Sequence, residues 1–267
     1  MTPRALVTGA SSGIGRALAV ELAKRGWKLV LVARDDRKLA ALAEELPNGP
    51  HDVISEDLST DSGMLAICAR IDTDVEPITL LVTAAGSGTS GAFPWSPMAE
   101  EEMMLRINVL ATLRLTHGAA HAMKRRGIGG IMTVASTAAY WSAGTYAASK
   151  SWVLLTTLGL RAQLENSGVR VMALSPGFTK TEFHARSQTD PSGVKAWMWL
   201  DAEDVARQAL DDFDAGKAVC VPGRRYRALV ETVRHLPPGG RSAVLRRLAP
   251  LRSQPKATPM SPDSSRD

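Results

Sequence analysis

The sequence predicts an α/β protein built on one Rossmann-type, doubly wound parallel sheet of about seven strands with helices on both faces. Three observations predict it. Short apolar runs recur at residues 5–8, 29–33, 53–55, 80–83, 131–135, 169–174 and 218–221. Unbroken runs of β-branched and aliphatic residues are what a strand buried on both faces requires. Between them, residues 14–25, 37–46, 64–71, 101–125, 146–166 and 202–213 carry apolar residues at helical intervals. Strand alternating with helix gives right-handed βαβ units. Finally, a glycine-rich turn follows the first run directly and opens the first helical segment.

Two connections break the alternation: residues 87–97, rich in Gly, Ser and Pro, and residues 178–200, which contain Trp197-Met198-Trp199. Connections this long in a compact domain are usually lids or binding loops. After residue 221 the pattern gives way to Arg-rich helical segments split by Pro237-Pro238-Gly239-Gly240, and from Ser253 onward to Ser, Pro and charge. No internal repeat is visible. The expected organisation is a catalytic domain over 1–221, a basic helical extension over 222–252 and a disordered tail over 253–267.

The chain has 267 residues, 45% of them hydrophobic and 22% charged, with 22 Gly and 15 Pro. That balance excludes collagen, coiled coil and wholesale disorder. Such a length buries roughly 70–75% of the unfolded surface, so no disulfide or metal staple is needed. Cys68 and Cys220 have no Cys or His at metal-ligand spacing, so no metal site is expected and two buried thiols in a reducing compartment are. The net charge of +5 is uneven: residues 1–216 carry −3 and residues 217–267 carry +8. The N-terminus passes from Met1-Thr2-Pro3-Arg4 straight into Ala5-Leu6-Val7, too short for a secretory signal. No run approaches the roughly 18–20 apolar residues of a membrane span. The expected location is cytoplasmic, with peripheral membrane contact left open.

The turn after the first strand reads Thr8-Gly9-Ala10-Ser11-Ser12-Gly13-Ile14-Gly15. Glycines there allow a tight turn and close backbone approach to a pyrophosphate, and the helix N-terminus offers free N–H groups with partial positive charge. At the end of the second strand, Ala33-Arg34-Asp35 stands where a dinucleotide site for NAD places an acidic residue on the ribose diol. A guanidinium at Arg34 suits a 2′-phosphate, so NADP (NADPH) is the expected cofactor; Asp35 keeps NAD as the alternative. Asp57 and Leu58, after the third strand, are placed to meet the adenine. A helix-capping role for Asp57 or Ser59 is the other reading.

Tyr146 and Lys150 are four residues apart in a helical segment and so share a face. A phenol ionises near pH of about 10, and a neighbouring ammonium favours its charged form, which predicts a lowered Tyr146 pKa. Tyr146 is then a candidate general acid for carbonyl reduction and base for alcohol oxidation. Ser136 ends the fifth strand, where side chains reach the ligand crevice, and its hydroxyl is placed to donate to a substrate oxygen. Asn108 lies inside a long helical segment, where Asn is poorly favoured, and that points to a special role.

Taken in order, residues 8–15, Asp57, Asn108-Val109, Ser136, Tyr146-Ala147-Ala148-Ser149-Lys150 and Pro176-Gly177-Phe178-Thr179-Lys180-Thr181 resemble the short-chain dehydrogenase/reductase family across residues 4–221. The resemblance implies catalytic roles for Asn108, Ser136, Tyr146 and Lys150, with Lys150 also holding the nicotinamide ribose and the Asn108 backbone holding a water that links the lysine to solvent. It implies further cofactor contacts from Ala85, Gly86, Pro176, Gly177, Thr179 and Thr181, and a homo-oligomer, a dimer or tetramer built through the two long helices. Two departures stand out. Thr83-Ala84-Ala85-Gly86 replaces the family's Asn-Asn-Ala-Gly, so bracing hydrogen bonds are lost or replaced. The interval from Ser136 to Tyr146 is short, so either the pocket is reshaped there or Thr137 shares the serine's role.

Aromatic residues Phe93, Trp95, Tyr140, Trp141, Phe178, Trp197 and Trp199, with Met198, fall in the segments expected to wall the crevice, which favours a lipophilic carbonyl or alcohol substrate. The basic stretch from Arg224-Arg225-Tyr226-Arg227 through Arg246-Arg247-Leu248 either packs on the body with a solvated face or lies on an anionic membrane. Nucleic acid is not expected as a partner, since few aromatics interleave with the arginines. Two functions follow: an NADP-dependent oxidoreductase transferring a hydride, or a dinucleotide-binding regulator that has kept the fold without turnover.

Overall fold

The structure is a computed structural model that describes residues 3–141, 144–183, 193–237 and 239–240. Among the described residues, seven strands form one sheet: β1 (Arg4–Thr8), β2 (Lys28–Ala33), β3 (Asp52–Ser55), β4 (Leu80–Thr83), β5 (Gly129–Val134), β6 (Val169–Leu174) and β7 (Val219–Cys220). All pairings are parallel, in the order β3-β2-β1-β4-β5-β6-β7. The order reverses direction between β1 and β4, and the carboxyl ends there open a crevice, as doubly wound sheets require.

Each central strand feeds two cores. In β1, Ala5 and Val7 face the helices α1 (Gly13–Lys24) and α2 (Asp36–Glu45), whereas Leu6 faces α3 (Asp61–Asp72). Leu18, Leu22, Leu39 and Leu42 fill the first core together with Val205, Leu210 and Phe213, which come from a helix later in the chain. Met64, Ile67, Leu115, Ala119 and Met123 fill the second. Because both sheet faces are covered, the strands read as unbroken apolar runs.

The expected helix over 101–125 is three pieces: α4 (Met98–Leu105), a π-helical turn (Arg106–Ala111) and α5 (Thr112–Arg126). A short 3-10 turn (Thr137–Tyr140) leads to α6 (Gly144–Gln163), and after β6 a second 3-10 turn (Ala196–Met198) leads to α7 (Ala202–Asp214). The chain continues past β7 into α8 (Arg224–Arg234), whose Tyr226, Val230 and Val233 are buried. That face packs with Met198 and Val221, so between 224 and 234 the basic segment lies on the body of the protein with its arginines outward. Its continuation through Arg246-Arg247-Leu248 and the expected disordered tail lie outside the described residues. No helix among the described residues is long and apolar enough to cross a membrane.

At the departure Thr83-Ala84, bracing comes from β1: the Ala84 and Ala85 N–H groups both donate to Thr8 Oγ1 at 3.1 Å. Thr83 Oγ1 is itself buried without a hydrogen-bond partner among the described residues. A buried unpaired hydroxyl costs about 1–3 kcal/mol, so Thr83→Val, which keeps the shape, is expected to raise stability by about 1 kcal/mol in urea unfolding. A loss of stability would show that the hydroxyl has a function in the fold.

Candidate active site

The phosphate turn is shaped by lack of room. Gly9 has φ +68°, and a β-carbon there would stand 2.9 Å from the Ala85 backbone. One at Gly15 would collide with the Gly9 carbonyl. Ser11, Ser12, Gly13 and Ile14 are half-buried around the start of α1, and Ile14 also packs on the first core. The loop after β6 reaches over this turn: a β-carbon on Gly13 would be 3.1 Å from the Thr181 side chain. Residues far apart in sequence thus meet around one glycine-rich backbone turn at a helix N-terminus, which fits an anionic dinucleotide.

Arg34 is exposed at the end of β2 and forms no ion pair among the described residues. Asp35 caps α2, accepting from the Lys38 N–H at 3.1 Å. Neither Asp57 nor Ser59 caps the next helix. The cap of α3 is Thr60, whose Oγ1 accepts from the Gly63 N–H, while the Asp57 carboxylate accepts from the Ser59 N–H at 2.8 Å. Leu58 is buried in the second core.

Gly86 is exposed, and a β-carbon on it would lie 3.3 Å from Asn108 Oδ1 and 3.5 Å from Lys150 Nζ. Asn108 is buried within the π-helical turn. Its Oδ1 accepts from the Ser87 N–H at 2.9 Å, and its Nδ2 donates to the Ser87 carbonyl and to Ser149 Oγ. Ser149 Oγ in turn donates to the Tyr146 carbonyl at 2.7 Å. One amide therefore fixes both the loop beyond Gly86 and the start of α6. Ser136 Oγ caps the 3-10 turn by accepting from the Ala138 N–H, and the Ser136 hydroxyl favours the charged form of the Tyr146 phenol. Thr137 is buried, its N–H donating to the Pro176 carbonyl at 2.9 Å.

The electrostatics correct one expectation. Burial pushes the Tyr146 phenol up to about 12, against a downward pull from Ser136, and burial pushes the Lys150 ammonium down to about 8. The phenol is raised, not lowered, because desolvation outweighs attraction to a lysine whose Nζ lies 5.9 Å from the ring centroid and donates to the Val134 carbonyl at 3.0 Å.

On the far wall, Thr179 is buried with its hydroxyl donating to the Gly177 carbonyl at 3.0 Å, so of the two threonines it is Thr181 that reaches the phosphate turn. Tyr140 and Phe178 pack with Met198, Leu200 and Val221, and the Phe178 and Trp199 rings lie 5.9 Å apart. Trp141 is half-buried, and Phe93, Trp95 and Trp197 are largely exposed. Residues 184–192, part of the expected lid, lie outside the described set. The sequence reading missed Tyr226, which sits at the centre of this cluster. Its signal was the spacing Tyr226, Val230, Val233, an apolar stripe inside an Arg-rich segment.

The family profile described as short chain dehydrogenase matches residues 3–192. A serine 3-dehydrogenase of Rhizobium radiobacter is 33% identical over 189 residues, 68% of this chain and 74% of that protein. A short-chain dehydrogenase from Sphingobium yanoikuyae, solved in complex with NADPH, superposes with a TM-score of 0.81 at 30% identity, covering 91% of this chain and 94% of the other. A bulky-bulky ketone specific alcohol dehydrogenase from Comamonas testosteroni gives a TM-score of 0.75 at 28% identity over 96% and 99% of the two chains. With the profile spanning most of a sheet that already carries the crevice and its side chains, the chain belongs to the short-chain dehydrogenase family of oxidoreductases.

Proposed function

We propose that the protein is an NADP(H)-dependent oxidoreductase that interconverts a lipophilic carbonyl compound and its secondary alcohol, with Tyr146 as the general acid or base. The observation that carries this reading is that Asn108 and Lys150 flank the exposed backbone of Gly86, with the Tyr146 ring 5.9 Å from Lys150 Nζ and the Ser136 hydroxyl acting on the Tyr146 phenol. When bound, NADPH supplies the hydride. The turn from Gly9 through Ser11, Ser12, Gly13 and Ile14 to Gly15 would hold its diphosphate, Asp57 and Leu58 its adenine, and Ala85, Gly86, Tyr146 and Lys150 its nicotinamide ribose. Pro176, Gly177 and Thr181, with Thr179 supporting the Gly177 carbonyl, would hold the carboxamide.

A phenol held near 12 stays protonated through the working pH range, so Tyr146 carries the proton that a carbonyl oxygen needs on reduction. Ser136 donates to the same oxygen as charge develops on it. Lys150, with its pKa near 8, exchanges protons close to neutrality and is suited to reload the phenol. Preference for NADP is supported by Arg34, free of ion pairs among the described residues, by Asp35 being engaged as a helix cap, and by the NADPH-bound Sphingobium enzyme. The apolar wall of Tyr140, Phe178, Met198 and Trp199 favours a lipophilic substrate, as does likeness to an alcohol dehydrogenase specific for bulky ketones. A homo-oligomer is supported by apolar side chains exposed on the long helices, Leu105 of α4, Leu113 of α5 and Leu155 of α6.

A panel of lipophilic ketones with NADPH, followed by absorbance, is expected to find turnover; tight NADPH binding without turnover on any of them would favour a regulator. Tyr146→Phe is expected to lower kcat by about 10²–10⁴-fold with little change in NADPH affinity, and full activity would sink the mechanism. Arg34→Ala is expected to weaken NADPH by roughly 10–100-fold and NADH little, and equal losses would refute the 2′-phosphate role. The Lys150 shift has a sign that unfolding can read. Its folded pKa lies near 8, below the ordinary 10.5, so the unfolded chain binds the extra proton between those values and stability rises with pH across that window. Lys150→Met is therefore expected to be more stable relative to wild type at pH 7 than at pH 10. A difference that does not change with pH would contradict the buried ammonium.

A further inference from the structure

We propose that Tyr226 of α8 is a positioning residue that fixes the backbone of Gly177, and through it the carboxamide end of the site; the proposal rests on the cofactor reading above. No motif marks this tyrosine, and it lies beyond the matched residues 3–192.

Three contacts carry the argument. The Tyr226 ring occupies the position of a β-carbon on Gly177, so the ring lies directly against the Gly177 backbone and no side chain fits between them. The Tyr226 hydroxyl accepts from the Phe178 N–H at 3.0 Å and donates to the Met198 carbonyl at 2.8 Å. It thereby joins the two ends of the 178–200 connection through one buried atom. Those ends are also zipped to each other: the Leu200 N–H donates to the Phe178 carbonyl at 2.8 Å, the Lys180 N–H to the Leu200 carbonyl at 2.9 Å, and Lys180 pairs with Asp201 at 3.0 Å.

Around Gly177 the backbone is held almost group by group. The Pro176 carbonyl accepts from Thr137, the Gly177 carbonyl from Thr179 and the Phe178 carbonyl from Leu200, while the Phe178 N–H is held by Tyr226. The Gly177 N–H makes no hydrogen bond among the described residues. It is thus the backbone donor left for a ligand amide: its own peptide is held at the Pro176 carbonyl by Thr137, and the Gly177 α-carbon and the following peptide are held by the Tyr226 ring and hydroxyl. The anchor is itself anchored: the Gly223 N–H at the start of α8 donates to Gln208 Oε1 of α7 at 3.0 Å, and Val230 and Val233 are buried along the same face. Burial raises the phenol to about 12, so the hydroxyl keeps its proton and both of its bonds at any working pH.

The test is Tyr226→Phe, which keeps the ring against Gly177 and removes both hydrogen bonds. The phosphate turn and Arg34 lie apart from the change, so NADPH affinity by titration is expected to stay within about twofold. The fluorescence enhancement of bound NADPH, which reports how rigidly the nicotinamide is held, is expected to fall by roughly half or more. The kcat on the best ketone of the panel is expected to fall about 10–100-fold, as for a small misplacement of a reacting group, with KM for NADPH little changed. Val230→Ala, on the same helix face but away from Gly177, controls for general loosening of α8. The proposal is overturned if folded Tyr226→Phe keeps the wild-type enhancement, or if Val230→Ala reproduces the loss at a matched drop in Tm. Should the wild-type protein bind NADPH and turn over nothing, the oxidoreductase reading fails, and the fluorescence comparison alone decides the role of Tyr226. Absence of any nicotinamide-nucleotide binding overturns both.

Discussion

The closeness of β1 to β4 is the constraint on which the site depends. Where the two strands end, the Gly9 backbone and the Ala85 backbone approach until no β-carbon fits between them, and the Thr8 hydroxyl takes two consecutive N–H groups from the other strand's exit. That contact fixes where the phosphate turn begins and where the chain leaves toward Gly86. Both halves of the crevice are thus set from one point, and an amide in the next helix, Asn108, locks the second half in place. In a packed interior, shifts at such a point propagate to everything built on it.

The chemistry grows from the same compactness. Asn108, Ser149 and the Tyr146 carbonyl form a continuous chain of hydrogen bonds, so the start of α6 is held by the π-helical turn across from it. A π turn carries an extra residue in its hydrogen-bonded ring and is a recurrent way to aim one side chain out of helical register. Here it sends a fully engaged amide into the gap between Gly86 and α6. Tyr146 and Lys150 are left with desolvation as the dominant influence, and each is moved toward its neutral form.

Local signals in the sequence were sufficient for the strands, the glycine-rich turn between β1 and α1 and the one helix that carries both Tyr146 and Lys150, because each is written in neighbouring residues. Features that depend on tertiary surroundings were not legible. The direction of the Tyr146 shift follows from burial that no spacing encodes. The break of one helix at 106–111 leaves no mark in apolar periodicity, since i+4 and i+5 partners differ by a single residue. The cap of α3 fell on Thr60, one position beyond the residues weighed, because Ser, Thr and Asp compete for such sites on nearly equal terms. Tyr226 stood among arginines, where charge masked an apolar stripe that only the body of the protein gives a meaning.

Asp35 shows how the end of β2 and the start of α2 depend on one side chain. Its carboxylate already holds the first turn of α2, so it does not stand idle beside Arg34. Redirecting it toward a sugar diol would leave that helix start bare, at a cost of about 1 kcal/mol. On the cofactor reading proposed above, a change of coenzyme at this edge would therefore come at less cost from an acid newly placed beside Asp35 than from Asp35 itself.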